Sequence, residues 1–237
     1  MTPARPRGYG PAVRTLVVTP TYNERENIAT LIEGLRDADP SIEVLVVDDG
    51  SPDGTADLAE ELGAHVLRRP GKAGLASAYT DGFRRALDDG ADRVVQMDAD
   101  LSHSPADVPR LLAPGTGLAL GGRYVPGGGT KGWPLHRKAL SRFGSAYARL
   151  WLGMPYRDLT GGFKAWRADL LRQVIARPVR STGYAFQVEM TARAVRLGAE
   201  VTEVPIIFTE RARGNSKMST AIALEAARIV PTLRFRR

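Results

Sequence analysis

The first regular stretch of the chain is RTLVVTP, an uninterrupted apolar run that predicts a buried strand over residues 14–19. NERENIATLIEGLRDA, at 23–38, then sets Ile28, Leu31, Ile32 and Leu35 at helical spacing. IEVLVVDDG (42–50) reads as a second strand, and GTADLAEELG (54–63) as a helix closed by Gly63. AHVLRR (64–69), LASAYTDGFRRALDDG (75–90) and DRVVQMDAD (92–100) give a third strand, a third helix and a fourth strand. SPADVPRLLAP (104–114) predicts a short helix, with Ser104 as its cap and Pro105 at the first helical position. GLALGGRY (117–124) is the fifth strand. Strands that alternate with helices and read as continuous β-branched runs predict an α/β fold. Its sheet is mostly parallel and has helices on both faces. Ligands of such sheets bind beyond the carboxyl ends of the strands.

The second half is less regular. VPGGGTKGWP (125–134) reads as a glycine-rich, mobile loop, able to close over a site as a lid does. RKALSRFGSAYARLWL (137–152) predicts an amphipathic helix with Leu140, Phe143, Tyr147, Leu150 and Trp151 on one face and Arg137, Arg142 and Arg149 elsewhere. Its apolar face suits either packing on the sheet or a membrane interface. AFQVEMTARAVRLG (185–198), closed by Gly198, is a further helix, and EVTEVPIIF (200–208) a late strand. STAIALEAARIV (219–230) is a last helix, followed by the cationic tail TLRFRR. No internal repeat or second domain is visible. The expected organisation is a disordered extension over 1–13, a catalytic domain over 14–219, and a C-terminal amphipathic helix with a basic tail over 220–237.

Composition narrows the partners. The 237 residues carry a net charge of +7, which suggests an anionic partner. Between Gly121 and Lys164 eight Lys and Arg face one acid, Asp158, whereas residues 37–61 are acid-rich. The basic region forms no continuous groove with interleaved aromatics, so nucleic acid is not expected. With no cysteine, disulfides and thiolate metal sites are excluded, in keeping with a cytoplasmic location. No apolar run approaches the roughly 18 residues of a membrane span. The Pro-, Gly- and Arg-rich beginning, MTPARPRGYGPA, does not read as a secretory signal.

The strand ends carry the chemistry. The first ends in PTYNE (20–24), the second in Asp48 and Asp49, the fourth in Asp98 and Asp100, and the fifth in Arg123. Neither a GxGxxG after the first strand nor a GxxxxGK[ST] loop is present, so nucleotide recognition, if present, must use side chains and a metal. Two carboxylates one residue apart at a strand end suit Mg²⁺ or Mn²⁺, which takes oxygen ligands and completes its shell with water and phosphate.

TPTYNE, VVDDGSPDGT, MDADLSHSP, GGRY, LTGGFKAWR, GYAFQVE and EVPIIFTERARGNSK occur in this order across roughly residues 14–219. As a set they resemble the polyprenyl-phosphate (dolichol-phosphate) mannose synthases, inverting family 2 glycosyltransferases of the GT-A (Rossmann-like) fold. The resemblance implies transfer of mannose from GDP-mannose to polyprenyl phosphate. It assigns nucleotide contacts to Pro20, Tyr22 and Glu24, and to Val47 with Asp48 or Asp49. It assigns metal and diphosphate to Asp98 and Asp100, with Ala99 and Leu101 lining the site. Ser102 stands where some relatives have a glutamine ligand. Arg123, Arg211 and Lys217 map onto phosphate-contacting positions.

The acceptor implied is itself a nucleophile: the second pKa of a phosphate monoester is about 6, so no strong general base is required. His65, His103 and His136 form no recognisable dyad. His103, beside the metal motif, is weighed as a base against a capping or orienting role. Asp100, Arg123 and Arg137 are the residues expected to carry the reaction. Metal and cations offset the departing GDP, and Arg123, Arg137 and Lys138 or Arg142 receive the acceptor phosphate. Replacing Arg123 is expected to impair the reaction more than folding. Attachment is expected to be peripheral, on the cytoplasmic face of the membrane, and a membrane-anchoring protein stands open as a further partner. The rivals are a UDP-glucose-dependent polyprenyl-phosphate glucosyltransferase and a catalytically silent nucleotide-binding subunit.

Overall fold

Successive residues of each inner strand face opposite hydrophobic clusters. The computed structural model describes residues 13–210 and 228–234. In chain order its strands are β1 (Thr15–Thr21), β2 (Ile42–Asp48), β3 (His65–Arg68), β4 (Arg93–Gln96), β5 (Leu118–Gly122), β6 (Gly129–Lys131), β7 (Lys164–Arg167), β8 (Val201–Pro205) and β9 (Ile207–Thr209). Its helices are α1 (Arg25–Ala38), α2 (Thr55–Glu61), α3 (Leu75–Asp88), α4 (Val108–Leu112), α5 (Leu135–Leu152), α6 (Ala168–Val174) and α7 (Gly183–Arg196), with a last turn, α8, over 228–234. Seven strands make the main sheet in the order β3-β2-β1-β4-β7-β5-β8. Only β7 is reversed, antiparallel to both β4 and β5.

Leu16, Val18, Leu45, Val47 and Val94 point to the face covered by α3, α6 and α7. Val17, Val44, Val46 and Val95 point to the face covered by α1, α2 and α4. A period-two strand with both sets apolar is buried on both sides, as the continuous apolar runs require. Gly82 lets α3 lie against the sheet: a Cβ there would fall 2.5 Å from Val18 Cγ1 and 2.7 Å from Val47 Cγ2.

Several elements depart from the sequence reading. The fourth strand stops at Gln96, so Asp98 and Asp100 lie on the turn beyond it. The glycine-rich stretch 125–134 contains β6, paired in parallel with β9, so its centre is ordered as a two-stranded ribbon. The run 200–208 divides at Ile206: β8 stays on the main sheet, and β9 leaves it for β6. The strand β7 and the helix α6 were not anticipated. The helix after Ser104 begins as a 3₁₀ turn over Pro105–Asp107, and Ser104 makes no side-chain cap bond. Residues 1–12 of the extension, residues 211–227 and residues 235–237 of the tail lie outside the described residues; residues 228–234, placed across the end of the last helix and the tail, are helical.

Helix α5 does not pack on the sheet. It joins Met154, Leu159, Val188 of α7 and Val230 and Leu233 of α8 in a third cluster through Ala148. Its buried residues are the small Ser145 and Ala148, while Leu135, Phe143 and Leu150 are 83%, 67% and 79% exposed. Among the described residues, no helix is long and apolar enough to cross a membrane.

Candidate active site

The carboxyl edge of the sheet opens into a cleft of about 350 Å³. Its first wall is the end of β1: Pro20, Thr21, Tyr22 and Glu24. Asn23 holds a left-handed backbone, φ 59°, and its N–H donates to Ser51 Oγ at 3.0 Å. Glu24 Oε2 accepts from Asn27 Nδ2 at 2.8 Å. The end of β2 separates its three expected residues. Val47 is fully buried in the core. Asp48 accepts from Thr21 Oγ1 at 2.8 Å, from Ser51 Oγ at 2.6 Å and from the Ser51 N–H at 2.8 Å, so it organises the turn. Asp49 lines the cleft and is ion-paired to Arg69, which also donates to Ser77 Oγ at 2.7 Å. Burial raises the Asp49 pKa, against the opposing pull of Arg69.

Lys72, which the sequence reading missed, stands across from this wall, its Nζ 3.5 Å from the centre of the Tyr22 ring. A signal was present: PGKAG is a glycine-flanked cation just past the carboxyl end of a parallel strand.

Asp98, Ala99 and Asp100 form the floor. Leu101 is left-handed, φ 59°, which folds the chain so that the Ser102 N–H donates to Asp100 Oδ1 at 3.1 Å. Asn23 and Leu101 are the non-glycine residues of positive φ among those described, and both flank the cleft; such strain persists where surrounding structure holds it. Asp98 Oδ1 accepts from the Tyr79 hydroxyl at 2.6 Å. Burial and the Asp98 charge raise the Tyr79 pKa well above its ordinary value, so this phenol remains a donor. Ser102 Oγ is buried without a hydrogen-bond partner among the described residues. Two cleft carboxylates with a spare hydroxyl beside them fit Mg²⁺ or Mn²⁺, which needs one or two carboxylates when phosphate and water complete the shell. No cluster of three or more His, Asp or Glu converges among the described residues, at this floor or away from it, so the protein's share of such a shell is the two carboxylates.

The far wall comes from the reversed strand. Because β7 runs against its neighbours, its amino end lies at the carboxyl edge, with Lys164 paired to Gln96. Thr160 and Gly162 thereby reach the cleft, joined by Thr182, Gly183 and Gln187 from the start of α7.

Arg123 is 5% exposed and does not line the cleft. Its Nε and Nη2 donate to the two oxygens of Asp158 at 2.6 and 2.7 Å, and Nη2 also donates to Thr160 Oγ1 at 3.0 Å. Arg123 holds the Asp158 carboxyl below the usual range, against burial. Arg137 pairs with Glu210 and lies 4.2 Å from the Trp133 ring, which Arg123 also approaches, at 5.5 Å. Arg142 sits 5.4 Å from the Tyr124 ring. Tyr124 Oη, Trp133 Nε1 and Arg137 Nε are buried here without partners among the described residues. The structure therefore brings Arg123, Arg137 and Arg142 to one aromatic-lined flank, one hydrogen bond from the cleft through Thr160. His103 is boxed between Phe163 and Phe208, ring centres 5.0 Å from each, and burial lowers its pKa to about 4. Its ring is packed between the two phenyl rings, and burial favours its neutral form. Arg211 and Lys217 lie outside the described residues.

Comparison with known proteins matches this arrangement. Residues 16–175 match the family model for glycosyl transferase family 2. Polyprenol monophosphomannose synthase of Mycolicibacterium smegmatis is 47% identical over 225 residues, 91% of this chain and 85% of that protein. Undecaprenyl-phosphate mannosyltransferase of Micrococcus luteus is 49% identical over 221 residues, 90% of this chain and 91% of that protein. Glucosyl-3-phosphoglycerate synthase of Mycobacterium tuberculosis, solved with Mn²⁺, UDP-glucose and phosphoglyceric acid, superposes with a TM-score of 0.68 at 23% identity, covering 94% of this chain and 80% of that one. That likeness establishes the fold, which is GT-A. The similarity to polyprenyl-phosphate mannose synthases read from the motifs is borne out, and the chain belongs to glycosyl transferase family 2 as a glycosyltransferase.

Proposed function

We propose that this enzyme transfers mannose from GDP-mannose to a polyprenyl phosphate with inversion at the anomeric carbon. The observation that carries the reading is the division of the site. Carboxylates line a nucleotide-sized cleft, and three arginines gather on an adjoining flank that leads to the exposed apolar face of α5. The mannosyl-transferring relatives, alike over nine-tenths of the chain, support the sugar and the lipid acceptor.

The nucleotide lies against Pro20, Tyr22 and Glu24, with Asp49 facing its base or ribose and Asp48 and Val47 fixing that strand end from behind. Lys72 stands within reach of the diphosphate. Asp98 and Asp100 hold Mg²⁺ or Mn²⁺, with Ala99 and Leu101 shaping the floor and Ser102 Oγ beside it. When bound, the cation offsets the charge that builds on the leaving diphosphate. Arg137 and Arg142 hold the acceptor phosphate on the flank around Trp133 and Tyr124, and Arg123 sets that flank through Asp158 and Thr160. A dianionic acceptor needs no proton removed. That accords with a buried, neutral His103 and leaves the protein the tasks of positioning and charge stabilisation. Arg211 and Lys217 are proposed to add phosphate contacts. Attachment is peripheral, through α5, on the face of the membrane that meets cytoplasmic nucleotide sugars.

Purified protein given radiolabelled GDP-mannose, UDP-glucose or UDP-GlcNAc, with and without polyprenyl phosphate, tests the reading. Lipid-extractable label from GDP-mannose alone, dependent on acceptor and abolished by chelator, is the expected result. Label from UDP-glucose alone would reassign the sugar, and no transfer from any donor would point to a silent nucleotide-binding subunit.

A further inference from the structure

The stretch GYAFQVE brings one polar side chain into the cleft, Gln187, which is only 4% exposed. It is held at both ends. Its backbone carbonyl accepts from Lys164 Nζ at 2.7 Å and from Thr191 Oγ1 at 3.1 Å. Its side-chain Oε1 accepts from Nε2 of the fully buried Gln96 at 2.9 Å. That bond fixes the amide plane and directs the Gln187 NH₂ away from Gln96. Among the described residues, this NH₂ carries no protein hydrogen bond.

Gly162 marks where the NH₂ points. A Cβ on Gly162 would fall 3.4 Å from Gln187 Nε2 and 3.6 Å from Asp98 Oδ2, so the amide and the carboxylate converge over one glycine. Gln187 lines the cleft, so this amide stands where a ligand acceptor can take its hydrogen bond in place of water. A phosphate at the Asp98–Asp100 floor places the sugar it carries one covalent bond away, against this wall. Among the described residues the wall's other polar side chains are Thr160 and Thr182, which are neutral hydrogen-bonding groups.

We propose that Gln187 binds a hydroxyl of the transferred hexose through Nε2 and contributes to recognition of the donor sugar; the inference rests on the mannosyl-transfer reading above. Gln96 and Lys164 are positioning residues for it. A site built to donate to a substrate hydroxyl discriminates against the analogue that lacks that hydroxyl.

The test compares wild type and Gln187→Ala on GDP-mannose and its 2-, 3-, 4- and 6-deoxy analogues, with GDP affinity measured by calorimetry and folding by thermal melt. Wild type should lose about 10- to 100-fold in kcat/KM with one of the deoxy donors, the energy of one hydrogen bond to a buried group. Gln187→Ala should lose a similar factor on GDP-mannose, show no further loss on that same deoxy donor, and keep its GDP affinity within about twofold. Gln96→Leu should show part of the same pattern, because it frees the amide to turn. Equal losses on every donor, unchanged kinetics, or a collapse of GDP affinity would overturn the assignment. Wild type that ignores GDP-mannose but uses another nucleotide sugar would sink the mannosyl reading alone. The same comparison with that donor's deoxy set then decides the role of Gln187.

Discussion

The Tyr79 hydroxyl donates to Asp98 Oδ1 at 2.6 Å from a side chain with no solvent exposure. Its ring is stacked between Phe83 and Phe186, so neither partner of the bond turns freely. The bond favours the ionised carboxylate and fixes its rotamer. Tyr79→Phe keeps the packing and removes the donor. We expect the Mn²⁺ concentration for half-maximal activity to rise several-fold, with folding stability lowered by about 1–2 kcal/mol. Unchanged metal dependence in an activity titration would show that the hydroxyl does not set the carboxylate.

Asp100→Asn tests the floor itself. Its Oδ1 accepts from the Ser102 N–H, and the amide oxygen of asparagine can keep that bond. Turnover should fall to background at every metal concentration while the melting temperature shifts little. Wild-type rates across a Mg²⁺ and Mn²⁺ titration would refute the metal assignment.

Asp158 and Arg123 form a buried bidentate pair, their side chains 0% and 5% exposed. Removing one member strips the other buried charge of its bidentate partner, which costs about 3–5 kcal/mol. Both Asp158→Asn and Arg123→Ala should therefore lower the melting temperature by roughly 10 °C for a chain of this size. From sequence alone, Arg123 was expected to matter more for the reaction than for folding; the geometry makes it matter for both. Melts of the two variants at neutral pH check this, and a shift of a degree or less in either contradicts it.

Lys164 is fully buried, and desolvation lowers its pKa to about 7, opposed by the more distant Asp158. In the unfolded chain it titrates near 10.4. Between pH 7 and that value the unfolded state binds the extra proton, so stability rises with pH across this window and is lost again as pH falls toward 7. The chain has no cysteine to titrate in the same range. Urea midpoints measured from pH 7 to 9.5 should climb in wild type, for a total on the order of a few kcal/mol, and should lie flatter in Lys164→Met. An equal slope in both proteins would place the titration elsewhere.

The nucleotide half of the site was legible in the sequence because parallel strands advertise themselves. Their continuous apolar runs end at Thr21, Asp48 and Gln96, and the polar residues that follow fall on one edge. The far wall was hidden for the complementary reason. KAWR is four residues long, has no apolar run, and reverses direction, so nothing local announces that Thr160 and Gly162 arrive beside the aspartates. Asp48 and Asp49 were indistinguishable as a dipeptide. Only the pleat, which turns one toward Thr21 and Ser51 and the other toward Arg69 and the cleft, tells them apart. Arg123 was read by its charge, and its partner 35 residues away turned it from a free cation into half of a buried pair.

Under the proposed function, the outward face of α5 is where the lipid acceptor approaches. A helix packed on a sheet buries its large residues, whereas here Ser145 and Ala148 face the protein and Phe143, Leu150 and Trp151 face out. Phe143, Tyr147 and Trp151 form a ladder at spacings of 6.3 and 6.2 Å, and Arg142 and Arg149 emerge from the same helix. Apolar and aromatic residues with cations beside them suit the headgroup region of an anionic membrane, where each basic residue contributes about 1 kcal/mol. Fully burying a side chain of this size is favourable by about 1.5–3 kcal/mol. Phe143→Asp with Leu150→Asp should therefore weaken binding to phosphatidylglycerol vesicles by at least about tenfold in flotation. Melting temperature should be unchanged, since neither side chain is buried in the fold. The same pair should slow transfer to long-chain polyprenyl phosphate in vesicles while sparing a short, water-soluble acceptor. Equal losses on both acceptors would place α5 in the chemistry rather than at the membrane, and undiminished flotation would remove it from both.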